Sequence, residues 1–204
     1  MKKGFRIISL LTVFLLSISC STTRVLQDDQ YRLARNKIKV ENDKEFNPNQ
    51  VNKYLKQNKG LGWSPFLYVY NWTNGNGGNW DRFVQRIGKA PVVYDPELVD
   101  QSVTNIKDHL EYIGYYASEV ESEIKVNKRT VKVVYNVSLG KRYPIKDITL
   151  QLPSQGEFRN AFLEDSTVFS VKPGDYLSEI SLETETEVLA AIMRNKGFYD
   201  FSKN

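Results

Sequence analysis

Few side chains in this chain of 204 residues have the types and spacing that chemistry requires. His109 is the only histidine, and it stands beside Asp108 in a segment of helical periodicity. A Ser-His-Asp arrangement would have to use His109, whereas a histidine on the surface of a helix needs no partner. Cys20 is the only cysteine, so His and Cys cannot cluster around a metal, and the acids lack the spacing of a calcium loop. The sequence therefore predicts no enzyme, no metal site and no cofactor.

Two other patterns each have a functional and a structural interpretation. The glycine-rich segment 74–78 could suggest phosphate binding, but no Gly-Lys-Ser follows it, which favours a flexible loop tip. Glu119, Glu121 and Glu123 could be paired carboxylates for acid and base catalysis. Alternate residues of a strand share one face, so a solvated acidic face is the simpler interpretation.

The first residues have the pattern of an export signal that ends in a lipidation site. Basic residues precede an apolar run of about ten residues over 7–16, which is too short to span a bilayer as a helix. Cys20 stands where a lipoprotein signal peptidase would cut, and we expect it to carry several acyl chains as an anchor. Leucine is usual three residues before such a cysteine, and Ser17 stands there instead. An ordinary signal with an incidental cysteine is therefore the alternative. Ser21, by similarity to other bacterial lipoproteins, favours the outer membrane.

The mature chain carries little net charge. Three of the 28 basic residues lie in the signal and none of the 24 acidic residues does, so the formal charge falls from +4 to near neutrality. Nucleic-acid binding depends on an excess of positive charge. We therefore expect no nucleic-acid partner.

Periodicity and capping residues predict a first set of elements after a polar tether over 20–30. The order is a strand over 36–41, a helix from Asn47 to Gly60, a helix from Asp95 to Gly114, and a hairpin with strands over 119–126 and 131–139. A strand over 143–152 and helices over 158–165 and 178–196 then restart the order. The sequence thus predicts an α+β fold with a β-α-α-β-β unit, three strands and two helices, followed by an incomplete second unit.

The two predicted sets end their long helices in the same way. Gly114 precedes two tyrosines, and Gly197 precedes Phe198 and Tyr199, at a spacing of about 83 residues. A glycine can take positive φ and end the helix. The predicted divisions are a signal over 1–19, a tether over 20–30, a first domain over 31–142 and a truncated second domain over 143–204. We expect a fragment, an early-terminated version of a longer protein, or completion by another chain.

An aromatic insert over 61–94 interrupts the first domain. One helical face carries Trp80, Phe83, Val84 and Ile87, with arginines elsewhere on the helix. Such a helix could lie on a membrane surface or meet a protein partner, and packing of the rings over their own domain is the alternative. The candidate contact residues are Trp63, Phe66, Trp72, Trp80 and Phe83.

These motifs together resemble POTRA domains, the periplasmic modules of the BamA superfamily. The Gly-Tyr-Tyr helix end, the strand that runs into Gly140, Arg142, Tyr143 and Ile145, and the restart carry the resemblance. The lipoprotein signal, the Asn-Lys-Ile-Lys-Val strand over 36–40, the insert and the Gly-Phe-Tyr-Asp-Phe-Ser-Lys end over 197–203 are similar, more narrowly, to the TamL group of lipid-anchored translocation and assembly module proteins.

The resemblance implies a three-stranded mixed sheet with the second strand at its edge. An extended peptide could pair there by main-chain hydrogen bonds, and charged side chains that guard the edge against pairing are the alternative. The candidate residues are Glu119, Val120, Glu121, Ser122, Glu123 and Ile124.

The implied role is a periplasm-facing, lipid-anchored part of an outer-membrane protein assembly apparatus. Its implied partners are the outer membrane, unfolded outer-membrane protein clients and a TamB-like periplasm-spanning protein, with a β-barrel in the same or an adjacent chain. A structural lipoprotein that scaffolds an envelope complex without touching clients is the alternative.

Overall fold

The computed structural model describes residues 22–58, 64–164 and 169–201, so Cys20, Gly60 and Trp63 lie outside the described residues. Its elements, in chain order, are β1 (Arg32–Val40), α1 (Asn49–Asn52), α2 (Pro65–Tyr70), α3 (Asn79–Ile87), α4 (Pro96–Tyr112), β2 (Glu119–Asn127), β3 (Thr130–Ser138), α5 (Glu157–Glu164) and α6 (Glu179–Asn195). Among the helices of these ranges, none has the length and hydropathy that crossing a membrane requires.

The three strands form one mixed sheet in the order β1-β3-β2. Strands β2 and β3 are the predicted antiparallel hairpin, joined by two residues. Strand β1 runs parallel to β3, because the Arg32 N–H donates to the Arg129 carbonyl and, further along, the Glu41 N–H donates to the Val137 carbonyl. The predicted α+β class with a three-stranded mixed sheet is confirmed.

The described chain divides into two compact units, each with its own core. The first lies within 1–37, 57–96 and 123–134, and the second within 38–56, 97–122 and 135–204. The buried apolar side chains of the first are Leu26, Leu33, Val84, Val131 and Val133. Those of the second include Val51, Val99, Ile106, Leu110, Tyr135, Val137, Phe162 and Met193.

Helix α1 is much shorter than predicted. It covers only Asn49–Asn52, whereas the caps predicted a helix that continues to Gly60. Side chains of α4 form hydrogen bonds with the backbone just after α1. The Ser102 hydroxyl accepts the Lys56 N–H at 2.9 Å, and the Asn105 amide donates to the Tyr54 carbonyl at 3.4 Å. These tertiary hydrogen bonds satisfy the backbone without further helical turns.

The strand predicted over 143–152 is wrong. This segment, which is described in full, forms only an isolated bridge between Pro144 and Tyr176. A strand needs a partner for its backbone groups, and pairing stops after Ile145, whose N–H donates to the Asp175 carbonyl at 2.8 Å. The alternating Ile148 and Leu150 are consequently exposed.

The predicted glycine ends of both long helices are confirmed. Gly114 follows α4 with φ of 95°, and Gly197 follows α6 with φ of 97°. Three buried side chains of α4, Val99, Ile106 and Leu110, hold it against the core of its unit. At each helix end, backbone hydrogen bonds close the last turn while the chain reverses direction. A glycine with positive φ permits this reversal.

Candidate functional site

Strand β2 lies at an edge of the sheet. It is hydrogen-bonded to β3 on one side, and no described residue pairs with the other side. Its side chains are mostly exposed, including the acids Glu119, Glu121 and Glu123. The salt bridge from Lys125 to Glu123, at 3.0 Å, joins two exposed side chains, so it contributes little to stability.

The register of the hairpin decides which backbone groups of β2 face outward. The two-residue connection, with Lys128 at φ of 51°, places Asn127 opposite Thr130 as a hydrogen-bonded pair. Alternate residues therefore bond to β3, and the N–H and C=O groups of the others point away from the sheet. The outward groups belong to Val120, Ser122, Ile124 and Val126.

Two apolar side chains lie on β2 near the hairpin turn. In the same register Val126 lies opposite Val131, and Ile124 lies opposite Val133. The two β3 valines are buried, whereas Ile124 is 38% exposed and Val126 58% exposed. The edge thus offers outward backbone groups and two uncovered apolar side chains, while acids occupy the opposite face.

The start of β1, at the other edge, is covered by the end of the insert. The Leu33 N–H donates to the Val92 carbonyl at 2.8 Å, and the Tyr94 N–H donates to the Tyr31 carbonyl at 2.7 Å. The side chain of Gln57 reinforces this pairing by donating to the Val93 carbonyl at 2.6 Å. Sequence analysis missed this pairing, although the β-branched pair Val92–Val93 was a signal for it.

The aromatic insert folds as two short helices that contact each other, α2 and α3. The prediction of a helix through Trp80 and Phe83 is confirmed by α3. Four of the candidate contact residues are about half exposed: Phe66 at 52%, Trp72 at 48%, Trp80 at 50% and Phe83 at 46%.

Backbone amides of the glycine-rich loop bind the carboxylate of Asp81. The Asp81 carboxylate accepts the Asn74 N–H at 2.6 Å and the Gly77 N–H at 2.8 Å. These hydrogen bonds, with that of the Thr73 hydroxyl, lower the pKa of Asp81. The amides that a phosphate would need are therefore already engaged, and the loop is held to the first turn of α3. The sequence analysis did not single out Asp81.

Residues 24–27 of the segment predicted as a tether are folded against the insert and the hairpin turn. The Val25 N–H donates to the Asn71 side chain at 3.3 Å, and Leu26 is buried. The Arg129 guanidinium, at the hairpin turn, donates to the carbonyls of Leu26 and Gln27. These contacts hold residues 25–27 in place.

His109 has packing partners. Its ring stacks on Tyr54 with centroids 4.0 Å apart and planes at 25°, and it lies 6.4 Å from the Tyr112 ring. Burial, followed by the charge of Lys53, lowers the pKa of His109. An open cavity of about 400 Å³ beside it is lined by Tyr54, Asn105, Asp108, His109, Tyr112 and Glu179. Among the described residues, no set of three His, Cys, Asp or Glu could hold a metal ion.

Within the second unit, the end of α4 is joined to α6 and the segment before it. The Tyr112 hydroxyl donates to Glu183 at 2.8 Å, and this hydrogen bond is the main reason that the pKa of Tyr112 is raised. The Arg142 guanidinium lies 5.1 Å from the Tyr115 ring centroid and 4.1 Å from that of Tyr176. Cation–π contacts of this kind stabilise by about 0.5–1 kcal/mol at exposed sites.

Comparisons with known proteins identify the family. The family model described as "POTRA: Surface antigen variable number repeat" matches residues 35–140, just over half of the chain. A search of curated proteins found no match. Among solved structures, the chain is similar to the crystal structure of BamA POTRA3-5 from Haemophilus influenzae, with 13% identity, a TM-score of 0.34, and coverage of 83% of this chain and 52% of that chain. It thus spans about half of that structure. On the family match, this chain belongs to the POTRA family.

Proposed function

We propose that this chain is the periplasmic POTRA region of a TamL-like lipoprotein and that it takes part in outer-membrane protein assembly by binding extended client segments along β2. Membership in the POTRA family supports this role, because POTRA domains in general take part in outer-membrane protein assembly without catalysing a reaction. The observation that carries the proposal is the side of β2 with which no described residue pairs, with its outward backbone groups and the exposed Ile124 and Val126.

Strand addition fits this edge because backbone hydrogen bonds bind a segment regardless of its sequence. A client strand placed beside β2 would continue the sheet at a spacing of about 4.8 Å. Its apolar side chains would lie beside Ile124 and Val126, and its polar or basic side chains would meet Glu121 and Glu123. An outer-membrane β-strand alternates in this way between apolar and polar residues.

Site-specific photocrosslinking tests the proposal. A photoreactive side chain at Glu123, on the edge strand, should capture unfolded outer-membrane protein in cell envelopes. Lys132 is the matched control, because it is exposed on the central strand β3 and one strand further from an added segment. We expect several-fold more client adducts at Glu123 than at Lys132, and competition by a short synthetic β-strand peptide.

A proline substitution makes the test specific for the backbone. Ser122→Pro removes one outward N–H and no bond to β3, a position where an edge strand tolerates proline. It should lower client capture at Glu123, whereas Ser122→Ala should leave it unchanged. Equal capture at Glu123 and Lys132, or recovery of folded partners only, would contradict client binding and favour a scaffolding lipoprotein.

The anchor and the wider partners belong to the same proposal. Cys20 carries the acyl chains, and the mature chain faces the periplasm from the outer membrane. A TamB-like periplasm-spanning protein delivers clients, and a β-barrel in the same or an adjacent chain receives them. Mass spectrometry of the chain extracted from membranes tests the anchor, since an unmodified Cys20 thiol would contradict it.

A further inference from the structure

We infer that the insert is a lipid-contacting surface: its exposed aromatic side chains lie against the phospholipid bilayer, and the arginines of α3 bind lipid phosphates. The inference rests on the proposed lipid anchor, which determines where the bilayer lies, and does not depend on client binding. The contact surface is defined by Phe66, Trp72, Trp80, Phe83 and Ile87, and is called the aromatic surface below.

Helix α3 has three different sides. At 100° per residue, Asp81 and Val84 lie on one side, and both are buried, with 2% and 1% of their surface exposed. Trp80, Phe83 and Ile87 share the next side and remain 42–50% exposed. Core packing is thus already provided by the first side, so the aromatic side chains are not needed for it.

Two of the exposed rings lie beside each other, and the backbones of Trp72 and Phe66 are hydrogen-bonded to α3 or to a residue just after its end. The Trp80 indole donates to the Trp72 carbonyl at 3.3 Å, and its ring lies 5.9 Å from that of Phe83. At the other end of α3, the Lys89 N–H donates to the Phe66 carbonyl at 2.8 Å. Trp72 and Phe66 therefore extend the surface at both ends of α3. Tryptophan and phenylalanine beside basic residues are typical of helices that lie at a bilayer interface.

The third side of α3 is basic. Arg82 and Arg86 line an open cavity of about 490 Å³ with Asn79 and Phe83. Neither arginine has an ion pair among the residues that the structure describes. The only acid of α3, Asp81, is held by the glycine-rich loop. The charged groups that α3 exposes are therefore both cations, and guanidinium groups bind phosphates through paired hydrogen bonds.

The described residues nearest in sequence to the proposed lipidation site contact the insert. Arg24 and Val25 line a cavity with Tyr70 and Thr73, and the Val25 N–H bonds to Asn71, the residue before Trp72. Cys20 precedes Arg24 by four positions, so the chain between them can span at most about 14 Å. An acyl chain in a bilayer therefore brings that bilayer within reach of Trp72 and Trp80. A lipid surface, rather than a protein, is the occupant that this placement favours.

The tryptophans of the chain make the test direct. All three, Trp63, Trp72 and Trp80, lie in the insert, so intrinsic fluorescence reports on it alone. The mature chain, which begins at residue 20 and lacks the apolar run over 7–16, would carry Cys20→Ser, so that no acyl chain contributes, and Trp63→Phe, so that only Trp72 and Trp80 report. Vesicles of phosphatidylethanolamine with a minority of phosphatidylglycerol should shift the emission to the blue, and brominated phospholipids should quench it.

Two pairs of substitutions separate the apolar and electrostatic contributions. Phe83→Ala with Ile87→Ala should weaken vesicle binding by about tenfold or more through lost apolar burial. Arg82→Gln with Arg86→Gln should weaken it by about fivefold per charge at low salt, and less at high salt. The matched controls are Tyr199→Ala with Leu150→Ala and Lys107→Gln with Lys132→Gln, which alter exposed residues elsewhere and should have no effect.

Several outcomes would overturn the inference. Emission that vesicles neither shift nor quench would exclude lipid contact, as would equal losses in the test and control pairs. Concentration-dependent self-association without vesicles, abolished by Phe83→Ala with Ile87→Ala, would assign the surface to a second copy of the chain. If that pair unfolds, the arginine pair alone decides. Crosslinking at β2 and acylation at Cys20 are measured separately, so their failure is distinguishable from failure here.

Discussion

Substituting the two helix-ending glycines should have unequal effects, and the difference measures how closely the chain approaches α4. Gly114 and Gly197 have φ of 95° and 97°, so alanine is strained at either position by about 1.5 kcal/mol. A Cβ at Gly114 would lie 2.4 Å from the Leu177 carbonyl oxygen and 3.2 Å from the Ser178 Cβ. A Cβ at Gly197 would meet nothing within 4 Å.

The expected magnitudes follow from these distances. Crowding at Gly114 adds about 2 kcal/mol to the strain, as overpacked sites do. At about 3 °C per kcal/mol for a chain of this size, Gly197→Ala should lower the unfolding temperature by about 4 °C and Gly114→Ala by about 10 °C. Circular dichroism during heating measures both values on the full chain.

Amide exchange provides a local readout. The Leu177 N–H donates to the Tyr143 carbonyl at 2.8 Å, and Gly114→Ala must displace Leu177. Its exchange should therefore accelerate in Gly114→Ala and stay unchanged in Gly197→Ala. Equal losses of unfolding temperature in the two variants, with unchanged exchange at Leu177, would refute the close approach of Leu177 to the end of α4.

Three other predictions concern single side chains. Asp81→Asn should lower the unfolding temperature at neutral pH; because the folded pKa of Asp81 is below its ordinary value, the wild-type advantage should be complete above about pH 4 and shrink as acid titrates the folded carboxylate. Tyr112→Phe should cost a few degrees of unfolding temperature through loss of the Glu183 bond, and since the pKa of Tyr112 is raised, this difference should hold at neutral pH and fade above about pH 10. Cys20→Ser should abolish acylation, seen as the absence of the lipid mass in protein extracted from membranes.

The elements with strong periodicity and a clear terminus were predictable from the sequence. Helix α4 has apolar residues at helical spacing and a glycine after it, and the hairpin has strict alternation on both sides of a short turn. Each of these signals is local, so neighbouring structure does not change its meaning. The edge position of β2 came with the resemblance, since the pairing order of strands is not a local property.

The failures share a dependence on distant residues. Helix α1 stops early because Ser102 and Asn105, some fifty positions later, satisfy the backbone after it. The alternation over 143–152 was real, but alternation provides no strand to pair with. The folding of the tether against Asn71 and Arg129 likewise required knowledge of which segments meet.

The candidate site was predictable in its residue types and not in its arrangement. The aromatic residues of the insert were evident from composition, whereas their exposure depends on which side of α3 packs inward. Asp81 has no sequence motif, because a carboxylate held by four loop donors depends on loop conformation. The same loop conformation decides between a phosphate site and an internal contact.

The contacts around Arg142 have a practical consequence for dissecting this protein. A deletion that removes everything after Arg142 would leave Tyr112 without Glu183, Arg142 without Tyr176, and Gly114 facing solvent in place of Leu177. In such a shortened protein the C-terminal end of α4 would be exposed to solvent and more susceptible to proteolysis. Experiments on isolated modules should therefore extend at least through α6, and a loss of activity in shorter versions would report on damage to α4 before it reported on any missing partner.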